Sequence, residues 1–280
     1  MIILRKFLAG VGIIGGIILV LALVSLSPND RRTLLSPLRS LQTPSGAREY
    51  LLGPVPSRPE RILLMLPGYK DHARQMAYYT GMHNVAGDTT LVVYAQATES
   101  SEYRRGWNAR ICCGNGFYRE VNDVAYLEAL IAEVRQNHAT ATTPVYLAGF
   151  SNGAMMAQYF AGQRPELVAG IVAHAGTLGA DGVQIPLSSP VPVLLMHGAK
   201  DTNVDFAGNF DDPGDDFDGW LSHEKTLQLW RVNNADQALV ESRVYPNLSH
   251  EWPDWRLARL WHHHPEGSQA IGEFIRKVEN

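Results

Sequence analysis

Val145-Tyr146-Leu147-Ala148-Gly149-Phe150-Ser151-Asn152-Gly153-Ala154-Met155-Met156 is the stretch that decides the fold. Its first half is apolar without polar alternation, which suits a strand covered on both faces. A serine follows, with glycine two residues to either side, and Met155, Met156, Tyr159 and Phe160 then recur at helical spacing. Ser151 therefore stands on a sharp strand-to-helix turn at the C-terminal edge of a sheet. Gly149 and Gly153 leave room where a side chain would meet the neighbouring strand and helix. The pentapeptide alone is a weak signal; the strand before it and the helix after it give it meaning.

The same alternation extends in both directions. Residues 62–66, 91–94, 168–173, 193–196 and 240–245 are short apolar runs. Between two of them Val121, Val124, Leu127, Ile131 and Val134 mark one face of a helix that can cross over the sheet. Further helices are expected near 220–230 and over 269–278. The fold class is α/β, an open doubly wound and mostly parallel sheet with helices on both faces. Residues 28–47, rich in Ser, Pro, Arg and Gly, read as a linker, and a possible strand at 48–52 opens a domain of residues 48–280.

A serine hydroxyl is a weak nucleophile until an imidazole takes its proton and a carboxylate holds that imidazole in the right tautomer. Both partners should follow later strands at the same sheet edge, acid first and histidine second. The run 193–198 leads into Ala199-Lys200-Asp201, so Asp201 is the expected acid, with Asp205 on the same loop as its competitor. After the last strand the first histidine is His250, the expected base. His262, His263 and His264 also follow it, but as a solvated cluster before the last helix; His174 and His197, at strand ends, read as hydrogen-bonded core histidines. The backbone N–H groups of Asn152 and of Tyr69, in Pro67-Gly68-Tyr69, are the expected oxyanion donors.

The other features are bounds. A net charge of -4 supplies no basic stripe, so nucleic acid is not an expected partner. Residues 7–26 are 20 residues without a charge, preceded by Arg5 and Lys6. As a helix they span ~30 Å, the thickness of a bilayer core, and Ser25-Leu26-Ser27 runs straight into Pro28, which makes a poor cleavage site. Residues 1–27 are therefore expected to be an uncleaved transmembrane anchor, with cleaved secretion as the alternative. Cys112 and Cys113 are the only cysteines. A trans peptide puts neighbouring Cα atoms ~3.8 Å apart, below the usual disulfide minimum of ~4.4 Å, so two free thiols and a strained vicinal bridge both stay open. Asp211, Asp212, Asp215, Asp216 and Asp218 make an acidic loop, but an EF-hand register would place Gly214 and Lys225 at essential ligand positions. No metal site is expected there.

With these residues placed, the chain from about 48 to 278 resembles the polyhydroxybutyrate depolymerase and feruloyl esterase branch of the α/β hydrolases. The likeness rests on Gly106-Trp107-Asn108-Ala109-Arg110-Ile111-Cys112-Cys113-Gly114 followed by Val121-Asn122-Asp123-Val124, on Ser151-Asn152-Gly153-Ala154-Met155-Met156, on Arg164-Pro165-Glu166-Leu167, and on Ser249-His250-Glu251-Trp252-Pro253. The chain departs from that pattern at Pro67-Gly68-Tyr69-Lys70-Asp71, where the family commonly has a histidine-glycine pair and small residues. The resemblance implies the α/β-hydrolase fold and extracytoplasmic hydrolysis of hydroxy-acid or hydroxycinnamate esters, small or polymeric, without a cofactor. It also implies Trp107 and Trp252 near the acyl pocket. The same triad would serve a serine peptidase or an acyltransferase, and a membrane-tethered binding protein could keep the fold without turnover.

Overall fold

The computed structural model describes residues 26–179, 189–209, 219–235, 237–255 and 264–280. Among the described residues the eight strands are β1 (Arg39–Thr43), β2 (Gly46–Leu52), β3 (Arg61–Leu66), β4 (Thr90–Ala95), β5 (Val145–Phe150), β6 (Gly170–His174), β7 (Val193–Gly198) and β8 (Val240–Tyr245). They form one sheet in the order β1-β2-β4-β3-β5-β6-β7-β8. β1 and β2 run antiparallel to their neighbours, and every pair from β4 to β8 is parallel.

The strand pattern follows from burial. Along β3, Ile62, Leu64 and Leu66 enter one apolar core, while Leu63 and Met65 enter the other. Helices Asp123–His138, Asn152–Gln163 and His223–Asn234 cover the first face, and Ala73–Thr80 and Glu266–Glu279 the second. A parallel sheet covered in this way needs runs without polar alternation, which β3, β4, β5, β6 and β7 supply. β8 differs: Val240–Tyr245 alternates in exposure because it is an edge strand with one neighbour.

Two sequence expectations need correction. The stretch 28–47 is no linker: it contains the helix Pro28–Leu34, β1 and the start of β2. Ser27 caps the helix in a reciprocal capping box with Asp30, Pro28 occupies the first turn, and buried Asp30 meets His83 Nε2 at 2.9 Å. The last helix begins at Glu266, three residues earlier than its apolar spacing indicates. Among the described residues no helix is long and apolar enough to cross a membrane. The expected anchor lies outside the described residues except for its last two positions.

Candidate active site

Ser151 follows β5 directly, with φ 53° and ψ -124°. A non-glycine residue at positive φ costs on the order of 1–3 kcal/mol and persists only where its surroundings over-determine it. Here they do so. The Ser151 N–H donates to the His174 carbonyl at 2.8 Å, and its own carbonyl accepts from Ala154 N and Met155 N. A Cβ on Gly149 would overlap the Gly153 carbonyl, and one on Gly153 would overlap the carbonyl of Leu66. The hydroxyl is thereby held above the sheet edge.

β7 and β8 are parallel neighbours, so the loops after both emerge at the same edge. Their crossing is close: a Cβ on Gly198 would overlap the Leu248 carbonyl, and Lys200 N donates to that carbonyl at 3.0 Å. The structure brings the three expected side chains together. His250 Nε2 lies 2.9 Å from Ser151 Oγ, and His250 Nδ1 lies 2.7 Å from Asp201 Oδ2. Phe150 packs against the His250 ring with centroids 5.1 Å apart. Asp201 is buried, and its other oxygen accepts from Asn203 N at 2.9 Å and Val204 N at 3.1 Å. Burial by itself would raise its pKa, but hydrogen bonds from His197 and His250 outweigh burial and hold the carboxyl well below the usual carboxylate range. An anionic acid, a histidine and a hydroxyl in hydrogen-bonded series can generate an alkoxide nucleophile.

Among the described residues neither the Asn152 nor the Tyr69 backbone N–H has an acceptor. Both are free to meet an oxyanion. The Asn152 side chain, which the sequence did not single out, is the hub of this corner. Its Oδ1 accepts from Trp107 N at 2.7 Å, and its Nδ2 donates to the carbonyls of Trp107 at 3.3 Å and Cys112 at 2.8 Å. Trp107 Nε1 in turn donates to the Pro67 carbonyl at 2.8 Å. The loop carrying Tyr69 and the turn carrying Ser151 are thus tied through one tryptophan.

That tie corrects the roles expected for the two tryptophans. Trp107 is 0% exposed, stacked on Tyr126, and Trp252 is 2% exposed, its Nε1 donating to Ser268 Oγ. Each indole N–H finds its partner inside the protein, and at these exposures both rings are part of the core. The carboxylate that meets His250 is that of Asp201; the Asp205 carboxylate accepts from Ala207 N and caps its own loop. His264 is exposed, whereas His262, His263 and the five aspartates of the acidic loop lie outside the described residues. Cys112 and Cys113 form a vicinal disulfide, their Cα atoms 3.2 Å apart across a cis peptide. The expectation of ~3.8 Å assumed a trans bond.

A phospholipase/carboxylesterase family profile matches residues 120–210. NocK of Nocardia uniformis subsp. tsuyamanensis, which is named as an esterase, is 27% identical over 197 residues; the match covers 68% of this chain and 56% of that protein. The chain thus spans little more than half the length of this curated relative. Among solved structures, a Pyrococcus furiosus esterase superposes with a TM-score of 0.58 at 14% identity, covering 91% of this chain and 95% of that one. Esterase PE8 gives 0.53 at 19% identity, covering 87% and 100%. XC6422 of Xanthomonas campestris, described as an α/β serine hydrolase without a lid, gives 0.52 at 15%, covering 86% and 94%. The protein has the α/β-hydrolase fold.

Proposed function

We propose that this protein hydrolyses carboxylic esters through an acyl-enzyme on Ser151. The observation that carries the proposal is the unbroken series of hydrogen bonds from Ser151 Oγ through His250 to Asp201 at the C-terminal edge of the sheet. His250 Nε2 takes the hydroxyl proton as Oγ attacks the ester carbonyl carbon, and Asp201 stabilises the imidazolium that forms. The carbonyl oxygen gains negative charge and meets the N–H groups of Asn152 and Tyr69. As the tetrahedral intermediate collapses, the bond to the leaving oxygen breaks and His250 returns the proton to the alcohol. Water then repeats the cycle on the acyl-serine, with His250 as base, and releases the acid.

Esters are favoured over amides by the phospholipase/carboxylesterase profile and by the names of NocK, PE8 and the Pyrococcus furiosus protein, all esterases. Hydroxy-acid and hydroxycinnamate esters are the proposed subclass, supported by the four spaced motifs around Trp107, Ser151, Pro165 and His250. We further propose that the uncharged segment 7–26 tethers the domain to a membrane, outside the cytoplasm. A panel of hydroxyacyl, cinnamoyl and short acyl esters, with a peptide amide, tests the activity against Ser151→Ala. Turnover of at least one ester class that disappears in Ser151→Ala is expected. No ester turnover, or turnover that survives the substitution, overturns the proposal.

A further inference from the structure

Asp201 carries a second histidine that the hydrolytic triad does not use. His197, the penultimate residue of β7, is 1% exposed. Its Nε2 lies 3.2 Å from Asp201 Oδ2, the same oxygen that accepts from His250 Nδ1 at 2.7 Å. Nε2 also lies 2.9 Å from the Val204 carbonyl oxygen. Neither neighbour can donate, since one is a carboxylate and the other a carbonyl. Nε2 must therefore carry the proton; its N–H donates to the Val204 carbonyl, and Asp201 Oδ2 stands beside the same proton-bearing nitrogen. The Val204 contact closes the loop 201–204 back onto β7, and the same loop returns two N–H groups to Asp201 Oδ1. The carboxylate is gripped at both oxygens.

We propose that His197 is a positioning residue that holds Asp201 Oδ2 towards His250 and weakens the basicity of His250 by drawing electron density from the shared carboxylate oxygen. This rests on the reading above that Ser151, His250 and Asp201 act as one unit. A proton-bearing nitrogen 3.2 Å from Oδ2 places partial positive charge beside the oxygen that faces His250, so the carboxylate stabilises the imidazolium less than it would alone. If His197 is removed, Asn203 N and Val204 N still fix Oδ1, and Asp201 stays in place with an oxygen that serves only His250. The imidazole then becomes more basic.

The surroundings leave few competing charges. His223 lies edge-on to His197 at 5.5 Å between centroids, and its Nε2 is engaged with Ser242 Oγ at 2.7 Å. Phe206 supplies an apolar wall against both rings. His174 and Asp71 act electrostatically on or near His250 from outside this pair, and Lys200 and Asp205 belong to the same loop as Asp201. Burial lowers the pKa of both His174 and His223 to about 4, so neither adds a charge near neutral pH.

The test compares His197→Leu, which lacks the donor, with His197→Gln, which keeps an N–H of similar reach. In His197→Leu the acid limb of kcat/KM should move up by roughly 0.5 pH unit, with kcat on the plateau reduced about threefold to tenfold and KM within about twofold. His197→Gln should recover most of both changes. The second readout needs no turnover: the titration midpoint of the His250 ring nitrogens, followed by NMR in the Ser151→Ala chain, should rise in the added His197→Leu background. If wild type cleaves none of the esters, the proposed function fails while the NMR titration still tests His197. A folded His197→Leu whose limb and midpoint match the parent overturns the proposal, as does equal loss in the Leu and Gln variants. Should His197→Leu not fold, His197→Asn, whose amide falls short of Asp201, is held to the same criteria.

Discussion

Replacing Asn152 by alanine should reveal whether the corner that joins nucleophile and oxyanion hole is built as described. Asn152 is 1% exposed, and its amide makes three hydrogen bonds to the backbone of Trp107 and Cys112. Truncation leaves the Trp107 N–H without its acceptor in a site where the ring is 0% exposed. A buried orphaned donor costs about 1–3 kcal/mol; the two carbonyls that lose a donor cost less because each keeps a second lone pair in play. The expected destabilisation is about 2–4 kcal/mol, and at ~2–4 °C per kcal/mol for a chain of this size Tm should fall by about 4–16 °C. The backbone N–H of Asn152 is also an expected oxyanion donor, and loosening the side chain that fixes it should lower kcat by about tenfold to a hundredfold with KM little changed. Asn152→Asp should be worse for catalysis, since a carboxylate would face the Trp107 and Cys112 carbonyls and repel the oxyanion. Thermal unfolding by circular dichroism and kcat on a short activated ester measure both effects. A Tm within about 2 °C of wild type together with unchanged kcat in Asn152→Ala would refute the reasoning, and so would full activity in Asn152→Asp.

Ser151→Ala, His250→Ala and the double variant should lose similar amounts of kcat, with Asp201→Asn losing less; multiplying losses in the double variant would show that the groups do not act together. Stability should fall with acid. His174 and His223 are pushed by burial to about 4 from an unfolded value of 6.5, so unfolding takes up protons between these limits. Their contribution is complete above about pH 6.5 and lost as pH falls towards 4, by at most a few kcal/mol each. The depressed Asp201 carboxyl contributes in the same sense below its unfolded value of 3.8. Calorimetric Tm values between pH 8 and pH 4.5 check this, and a Tm that rises on acidification would contradict it. Thiol titration of denatured, unreduced protein should find no free thiol, because both cysteines are in the vicinal bridge; two thiols per chain would reject the bridge.

The core strands, the crossover helix and the order of Ser151, Asp201 and His250 were legible in the sequence because each depends on local periodicity. A parallel sheet covered on both faces demands uninterrupted apolar runs, and in such a sheet every strand ends at one edge, so side chains 49 and 99 positions apart need no spacing rule to meet. The helix Pro28–Leu34 was legible too, in Ser27-Pro28-Asn29-Asp30, but composition hid the capping signal. Tertiary structure alone decided the rest. Whether Trp107 faces substrate or core depends on where the Pro67 carbonyl falls, and nothing near residue 107 encodes a partner forty positions away. Asn152 and His197 likewise look ordinary in sequence. Their hydrogen bonds run to backbone atoms brought close by the sheet, and backbone atoms carry no residue-specific signal. Local pattern thus determined where the chemistry stands, while long-range contacts determined what holds it in place.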